Sequence, residues 1–314
     1  MPHTIPSRIN LWLAVCTLTA VAVLLLPGCN PGEPPAFSVD SAVVHIDRQL
    51  ALGPRVPGSA ARDSAAAYIA RTLRRYGAQV TVQPFQIKDP YGDRTIRMMN
   101  IIGSFGPDEK RRLMLASHYD SRPWADQEPD STLWNVPILG AVDGATSTAI
   151  LLEIARLAGT RAPQGIGLDL VFFDGEDYGK HEDIDHYLLG SQHFAANLDG
   201  YHPVAAILLD MVGGKGTTVK REGYSQENSP ELMDYVFARA RALHLNTFNS
   251  SPGAPMIDDH VPLLRAGIHT IDLFGYDFAP WHTLKDDGTA VDRPRVEEVG
   301  ILLRDIVFNF KYPK

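Results

Sequence analysis

Three near-continuous apolar runs, residues 113–117, 168–173 and 205–209, each lead straight into a polar residue: His118, Asp174 and Asp210. A strand with one wet face alternates polar and apolar side chains, so runs without that alternation belong to strands covered on both faces. Around them lie stretches with Ala, Ile and Leu at helical spacing. One is 59–76, stopped by Gly77, and another is 229–245, which opens on Ser-Pro-Glu. Further helices are expected at 145–157, 191–197, 261–266 and 294–310, and further strands at 79–87, 98–105 and 269–274. Strands alternating with helices indicate an α/β fold: a central, mostly parallel mixed sheet flanked by helices on both faces. Ligands in such sheets bind beyond the carboxyl ends of the strands. The polar residues after the apolar runs stand at that edge.

The chain is 45% hydrophobic and 21% charged, enough apolar material for one substantial core. Its formal charge of −8, with no basic block, argues against a nucleic-acid partner. Arg8 is followed by an apolar run over 11–26 and then Pro27-Gly28-Cys29. These are features of an export signal, and Leu26-Pro27-Gly28-Cys29 resembles a bacterial lipoprotein signal in which Cys29 carries the lipid. A retained anchor helix is the alternative. Either places the protein outside the cytoplasm, held to a membrane at its N-terminus. Cys16 and Cys29 are the only cysteines, so the remainder can form no disulfide. The expected organisation is a signal over 1–28, a Pro/Gly-rich tether over 29–39 and one catalytic domain over 40–314. That domain is expected to be monomeric.

The strand ends and neighbouring loops carry His118, Asp120, Asp143, Glu176, Asp177, Asp210, Asp258, Asp259 and His282. Singly, an Asp after a strand reads as a helix cap or turn residue, and a lone His as a structural one. Together, carboxylates crowded at one sheet edge repel one another unless a cation compensates. Mixed His and carboxylate ligands with an open position suit a catalytic zinc. Glu176, beside such a metal, could take up and return a proton.

Several segments, in order, resemble glutaminyl-peptide cyclotransferases, relatives of the zinc aminopeptidases. They are His118-Tyr119-Asp120-Ser121-Arg122-Pro123-Trp124-Ala125-Asp126, Gly140-Ala141-Val142-Asp143-Gly144-Ala145, Phe172-Phe173-Asp174-Gly175-Glu176-Asp177, Leu189-Gly190-Ser191, Asp258-Asp259-His260-Val261-Pro262 and Trp281-His282-Thr283. The run from Leu50 to Ser59 fits the same pattern. The resemblance implies a zinc aminopeptidase-like fold with a single Zn²⁺ held by Asp143, Asp177 and His282. It implies Glu176 as proton shuttle, Asp259 and Asp210 as the supporting acidic network, and Trp281 as a wall of the substrate pocket. His118 and Asp210 correspond to residues that hold a second metal in the peptidases, and cyclases keep both. Asp177 stands where many relatives carry Glu.

The activity so implied is conversion of N-terminal Gln of peptides or exported proteins to pyroglutamate, with release of ammonia. A zinc aminopeptidase removing N-terminal residues is the competing reading. The segment from Tyr178 to Leu189 and the Trp281-His282 pair favour the cyclase. The polar stretch Lys180 to His186 inside that segment reads as a solvated loop with no metal role. A non-catalytic binding protein on the same scaffold would have lost a ligand position, and none is lost.

Overall fold

The structure, a computed structural model, describes residues 1–3, 34–181 and 183–312. Two compact units are distinguished, Met1–Glu33 and Pro34–Lys314. Residues 4–28 of the expected signal, and Cys29, lie outside the described residues.

Pro34–Lys314 is built around one eight-stranded sheet. Its strands are β1 (Gln79–Lys88), β2 (Thr95–Phe105), β3 (Arg112–His118), β4 (Gly167–Phe173), β5 (Ala205–Asp210), β6 (Thr218–Arg221), β7 (Phe248–Pro252) and β8 (Thr270–Tyr276). They lie in the order β1-β2-β4-β3-β5-β8-β6-β7. The centre, β4-β3-β5-β8, is parallel, while β1, β2 and the β6–β8 pairing are antiparallel. This is the mixed, mostly parallel sheet expected.

The apolar runs face both ways. Leu113 and Leu115 of β3 join one core cluster, and Met114 and Ala116 join the other. Ile207 and Leu208 of β5 divide in the same manner. On the first face lie helices α1 (Val39–Leu50), α2 (Ala60–Arg75), α3 (Ser147–Thr160), α6 (Pro230–Ala242) and α8 (Arg293–Phe308), which follow the same large core. On the second lie α4 (Leu189–Ala196) and α7 (His260–Arg265), with Phe194 and Leu263 in the smaller core. The short α5 (Gly223–Asn228) sits beside β8 and α6.

Local signals explain the boundaries. Ser59 caps α2 by accepting a hydrogen bond from the Arg62 N–H, and Ala65, Ala66, Ile69 and Leu73 form its buried stripe. α1 was not expected. It begins where the Pro-rich tether ends, with Ser38 as its cap. The end of that tether is packed: Phe37 is buried, and Arg304 Nε donates to the Pro35 carbonyl at 3.1 Å. Gly300 of α8 makes the room, since a Cβ there would lie 2.2 Å from the Phe37 ring. β6, α5 and β7 were likewise not expected. The two strands are short and polar, and the alternation that marks a strand never develops.

Candidate metal centre

The parallel strands deliver the site at their carboxyl ends. β3 ends on His118, β5 ends on Asp210, and β4 leads through Asp174 and Gly175 to Glu176 and Asp177. Asp143 comes from a tight turn over Ala141–Thr146, just before α3, in which Asp143 and Gly144 leave helical geometry. Gly144 has φ +98°, and a Cβ there would stand 2.8 Å from the Asp120 carbonyl oxygen and 2.9 Å from His118 Cε1. Only glycine meets both demands. Gly144→Ala is therefore expected to destabilise the fold by about 2 kcal/mol or more in urea unfolding. Unchanged stability would mean that this turn relaxes freely. His282 itself adopts a left-handed backbone at φ 55°, a strain of the kind found at functional sites.

These loops bring Asp143, Asp177 and His282 together, each buried, with one candidate ligand atom from each lying within 4.8 Å of the others. His282 Nε2 is 3.8 Å from Asp143 Oδ2 and 3.6 Å from Asp177 Oδ1. A second group, His118, Asp143 and Asp210, shares Asp143 with the first. In it His118 Nε2 lies 3.2 Å from Asp143 Oδ1 and 3.1 Å from Asp210 Oδ1. Glu176 Oε2 stands 3.9 Å from His118 Nδ1. A third buried group, Asp258, His260 and Asp272, lies behind the site, where His260 Nε2 is 3.2 Å from Glu222 Oε2.

The electrostatics are those of a cavity with too much negative charge. Burial, and then the charge of Asp177, push Glu176 well above the usual carboxylate range, with Asp258 and Asp259 adding to it. Burial lifts Asp177 to about 6 despite Arg122 and His282. Burial and Asp258 lift Asp210 to about 7, and Asp259 rises well above its ordinary value for the same reasons. Asp143 differs. Burial opposes its charge, yet the His118 hydrogen bond and the His118 and His282 charges hold it low. Asp177 Oδ2 and both Asp259 oxygens are buried without a hydrogen-bond partner. Orphaned carboxylate oxygens and raised pKa values are what a divalent cation would relieve, and the His/Asp donor set suits zinc.

The surroundings hold these groups in place. Arg122, 1% exposed, donates from Nη1 to Asp177 Oδ1 at 2.6 Å and from Nε to Asp126 Oδ1 at 3.0 Å. Asp126 Oδ1 in turn lies 3.4 Å from His282 Nδ1. Burial works against the Asp126 charge, yet His282 and Arg122 keep its carboxyl below the ordinary range. Asp286 accepts from the Val142 and Asp143 N–H groups at 2.8 and 3.1 Å, and Asp120 accepts from those of Glu176 and Asp177, each at 3.3 Å. The fully buried Arg55 donates to the carbonyls of Tyr119, Leu139 and Gly140. Such partners orient ligands around a metal. The Trp281 ring lies 3.9 Å from that of His282, centroid to centroid, and is 40% exposed.

All the expected site residues apart from Cys29 are thus gathered at one sheet edge. Asp174, the polar residue after β4, turns away instead: it accepts from the Met99 N–H at 2.8 Å and pairs with Arg62 at 3.3 Å. The orienting roles of Arg122, Asp126, Asp286 and Arg55 were not foreseen. Arg122 and Asp126 share the segment from His118 to Asp126, and Arg55 lies in the run from Leu50 to Ser59; that was the sign the sequence offered. The polar stretch after Asp177 is largely exposed, as expected, but Tyr187 near its end accepts from Arg122 Nη2 at 2.8 Å.

Comparison with known proteins agrees with this geometry. The family model for Peptidase family M28 matches residues 100–307. The glutaminyl-peptide cyclotransferase of Bos taurus is 28% identical over 293 residues, which cover 82% of this chain and 78% of that protein. Bacteroides thetaiotaomicron glutaminyl cyclase bound to N-acetylhistamine is 37% identical, with a TM-score of 0.84, covering 89% of this chain and 100% of that one. A leucine aminopeptidase precursor from the same organism is 36% identical, with a TM-score of 0.85, covering 89% and 99%. The chain belongs to peptidase family M28, among its glutaminyl cyclases.

Proposed function

We propose that this chain is a zinc-dependent glutaminyl-peptide cyclotransferase acting on peptides or exported proteins with N-terminal Gln. The observation that carries the reading is the buried Asp143, Asp177 and His282 group with Glu176 beside it, in a chain that aligns with glutaminyl cyclases over most of its length. Asp143, Asp177 and His282 would hold the ion. When bound there, zinc supplies a Lewis acid for the carbonyl of the substrate's side-chain carboxamide.

The chain's own groups do the rest. Glu176, as carboxylate, takes a proton from the substrate α-ammonium. The freed amine attacks the carboxamide carbon, the new C–N bond closes a five-membered ring, and the old C–N bond breaks. Glu176 returns its proton to the departing ammonia, the surplus proton of the ring nitrogen leaves with it as ammonium, and no water is consumed. Ring closure already has the advantage of proximity, so the site's main task is to stabilise charge. Asp259 and Asp210 support Glu176 through the buried acidic network, and Trp281 forms a wall beside His282. Hydrolysis of the first peptide bond would use the same residues with an activated water. The product therefore decides between the two, by mass spectrometry of Gln-Xaa peptides after reaction.

We also propose that residues 1–28 act as a signal and that Cys29 carries a lipid, on the strength of the apolar run before Gly28-Cys29. Among the described residues no helix is long and apolar enough to cross a membrane. Anchoring by lipid alone is stable only with more than one acyl chain. Cys29→Ser is expected to abolish acyl labelling and leave an uncleaved or mislocated precursor. Membrane partition of the parent without any acyl label would contradict the lipid anchor.

A further inference from the structure

The exposed large apolar side chains are unevenly distributed. Trp134, Val136, Ile184, Ile257, Trp281 and Leu284 all lie in segments that flank, in sequence, the ones carrying Asp126, Asp177, Asp258 and His282. Among the described residues of Pro34–Lys314 only Val44 and Val82 lie elsewhere. Scattered exposed apolar residues are ordinary, whereas their collection around one opening marks a binding surface.

One part of that surface is a built cleft. Trp124, Asp126, Gln127, Trp134, Asn135 and Lys180 line a cavity of about 600 Å³. It adjoins the site directly: Asp126 reaches His282 Nδ1 at 3.4 Å, and the Gln127 N–H donates to the His282 carbonyl at 3.2 Å. Both indoles are fixed through their N–H groups, Trp124 to the Tyr178 carbonyl at 3.1 Å and Trp134 to the Glu128 carbonyl at 2.8 Å. Their polar edges are satisfied within the protein; the Trp134 ring, 46% exposed, is open to apolar contact, while the Trp124 ring is partly covered by Tyr91, 5.7 Å away centroid to centroid. The Lys180 ammonium stands 4.5 Å from the Trp124 ring centre and 4.8 Å from that of Tyr91. Among the described residues it pairs with no carboxylate. The one carboxylate of the cleft, Asp126, is occupied by Arg122 and His282.

We propose that this cleft is the subsite for the residues that follow the N-terminal glutamine, and that it selects an aromatic second residue and an acidic third one. The inference rests on the cyclase reading for where the glutamine sits. The aromatic side chain packs against Trp124 and Trp134, and the acidic side chain meets Lys180. Glutamine recognition at the metal is the same for every substrate, so this cleft is where substrates are told apart.

Binding tests this independently of turnover. The probes are the peptide amides pyroglutamyl-Phe-Glu, pyroglutamyl-Ala-Glu and pyroglutamyl-Phe-Lys, which cannot be cyclised and carry no C-terminal charge. Calorimetry on the zinc-loaded enzyme is expected to show pyroglutamyl-Phe-Glu binding about tenfold more tightly than either of the others. Trp134→Ala should remove the preference for Phe over Ala, and Lys180→Glu should reverse the order of Glu and Lys. Equal binding of the three peptides, or preferences that survive both substitutions, would overturn the subsite. Turnover of Gln-Phe-Glu amide is followed in parallel. Its absence with the binding preference intact would overturn the reaction assignment and leave the cleft standing.

Discussion

Glu176→Gln is expected to lower turnover by about 10²- to 10⁴-fold, the usual size of general acid–base catalysis, while zinc stays bound. Glutamine keeps the side chain's shape but accepts no proton. Glu176 adjoins Asp177 in sequence without belonging to the group of three, so its loss leaves that ligand set whole. Its surroundings also suit a proton carrier. Burial and Asp177 push its carboxyl upward, and a cation beside it favours the carboxylate. The competing effects place it where it can both accept and release a proton. Assay of turnover together with zinc content checks this. A variant that keeps both would remove Glu176 from the reaction, and one that loses zinc would make it a ligand.

Asp143→Asn is expected to be the most damaging single change at the site. Asp143 is the one residue shared by two of the three candidate ligand groups. The group is held as a carboxylate by His118 and His282, against the opposing effect of burial. The substitution takes away one ligand charge and leaves His118 and His282 with one partner fewer. Loss of a mere outer partner costs about 10- to 100-fold in metal affinity, so loss of this ligand should exceed that range and abolish activity. Zinc titration against a competing chelator gives the affinity. The parent should carry one zinc per chain, and a strong chelator should remove it, together with activity, without unfolding the protein. Two tightly bound ions, both needed for turnover, would favour the peptidase reading.

The architecture was legible because its central strands are buried on both faces. The runs at 113–117 and 205–209 therefore lack alternation and stand out as parallel-sheet strands. α2 was legible through its apolar residues at helical spacing and the Gly77 that stops it. β6 and β7 were not, because they are short, polar and near one edge of the sheet, and their pairing is decided by neighbours rather than by their own residues. α1 was hidden by the prolines before it.

The site was legible in its titratable residues and poorly legible in what holds them. Asp143, Asp177 and His282 stand out through their motifs. Asp286 reaches the Asp143 N–H from 143 positions away, and only the folded chain brings them together. A buried arginine such as Arg122 looks in sequence like any solvated charge, and its role depends on carboxylates supplied by other loops. Asp174 shows the opposite error. It follows a buried strand as His118 does, yet its carboxylate points to Arg62 and the β2 backbone.

The most direct test of the central claim is the mass of the product formed from Gln-Xaa and Leu-Xaa peptides by the zinc-loaded enzyme. Leucine offers neither a side-chain carbonyl to polarise nor an amine to expel. The account predicts that Gln-Xaa becomes lighter by one ammonia with its peptide bond intact, and that Leu-Xaa is unchanged. Release of free leucine, with no cyclised product from the Gln peptide, would contradict it and make the same residues those of an aminopeptidase.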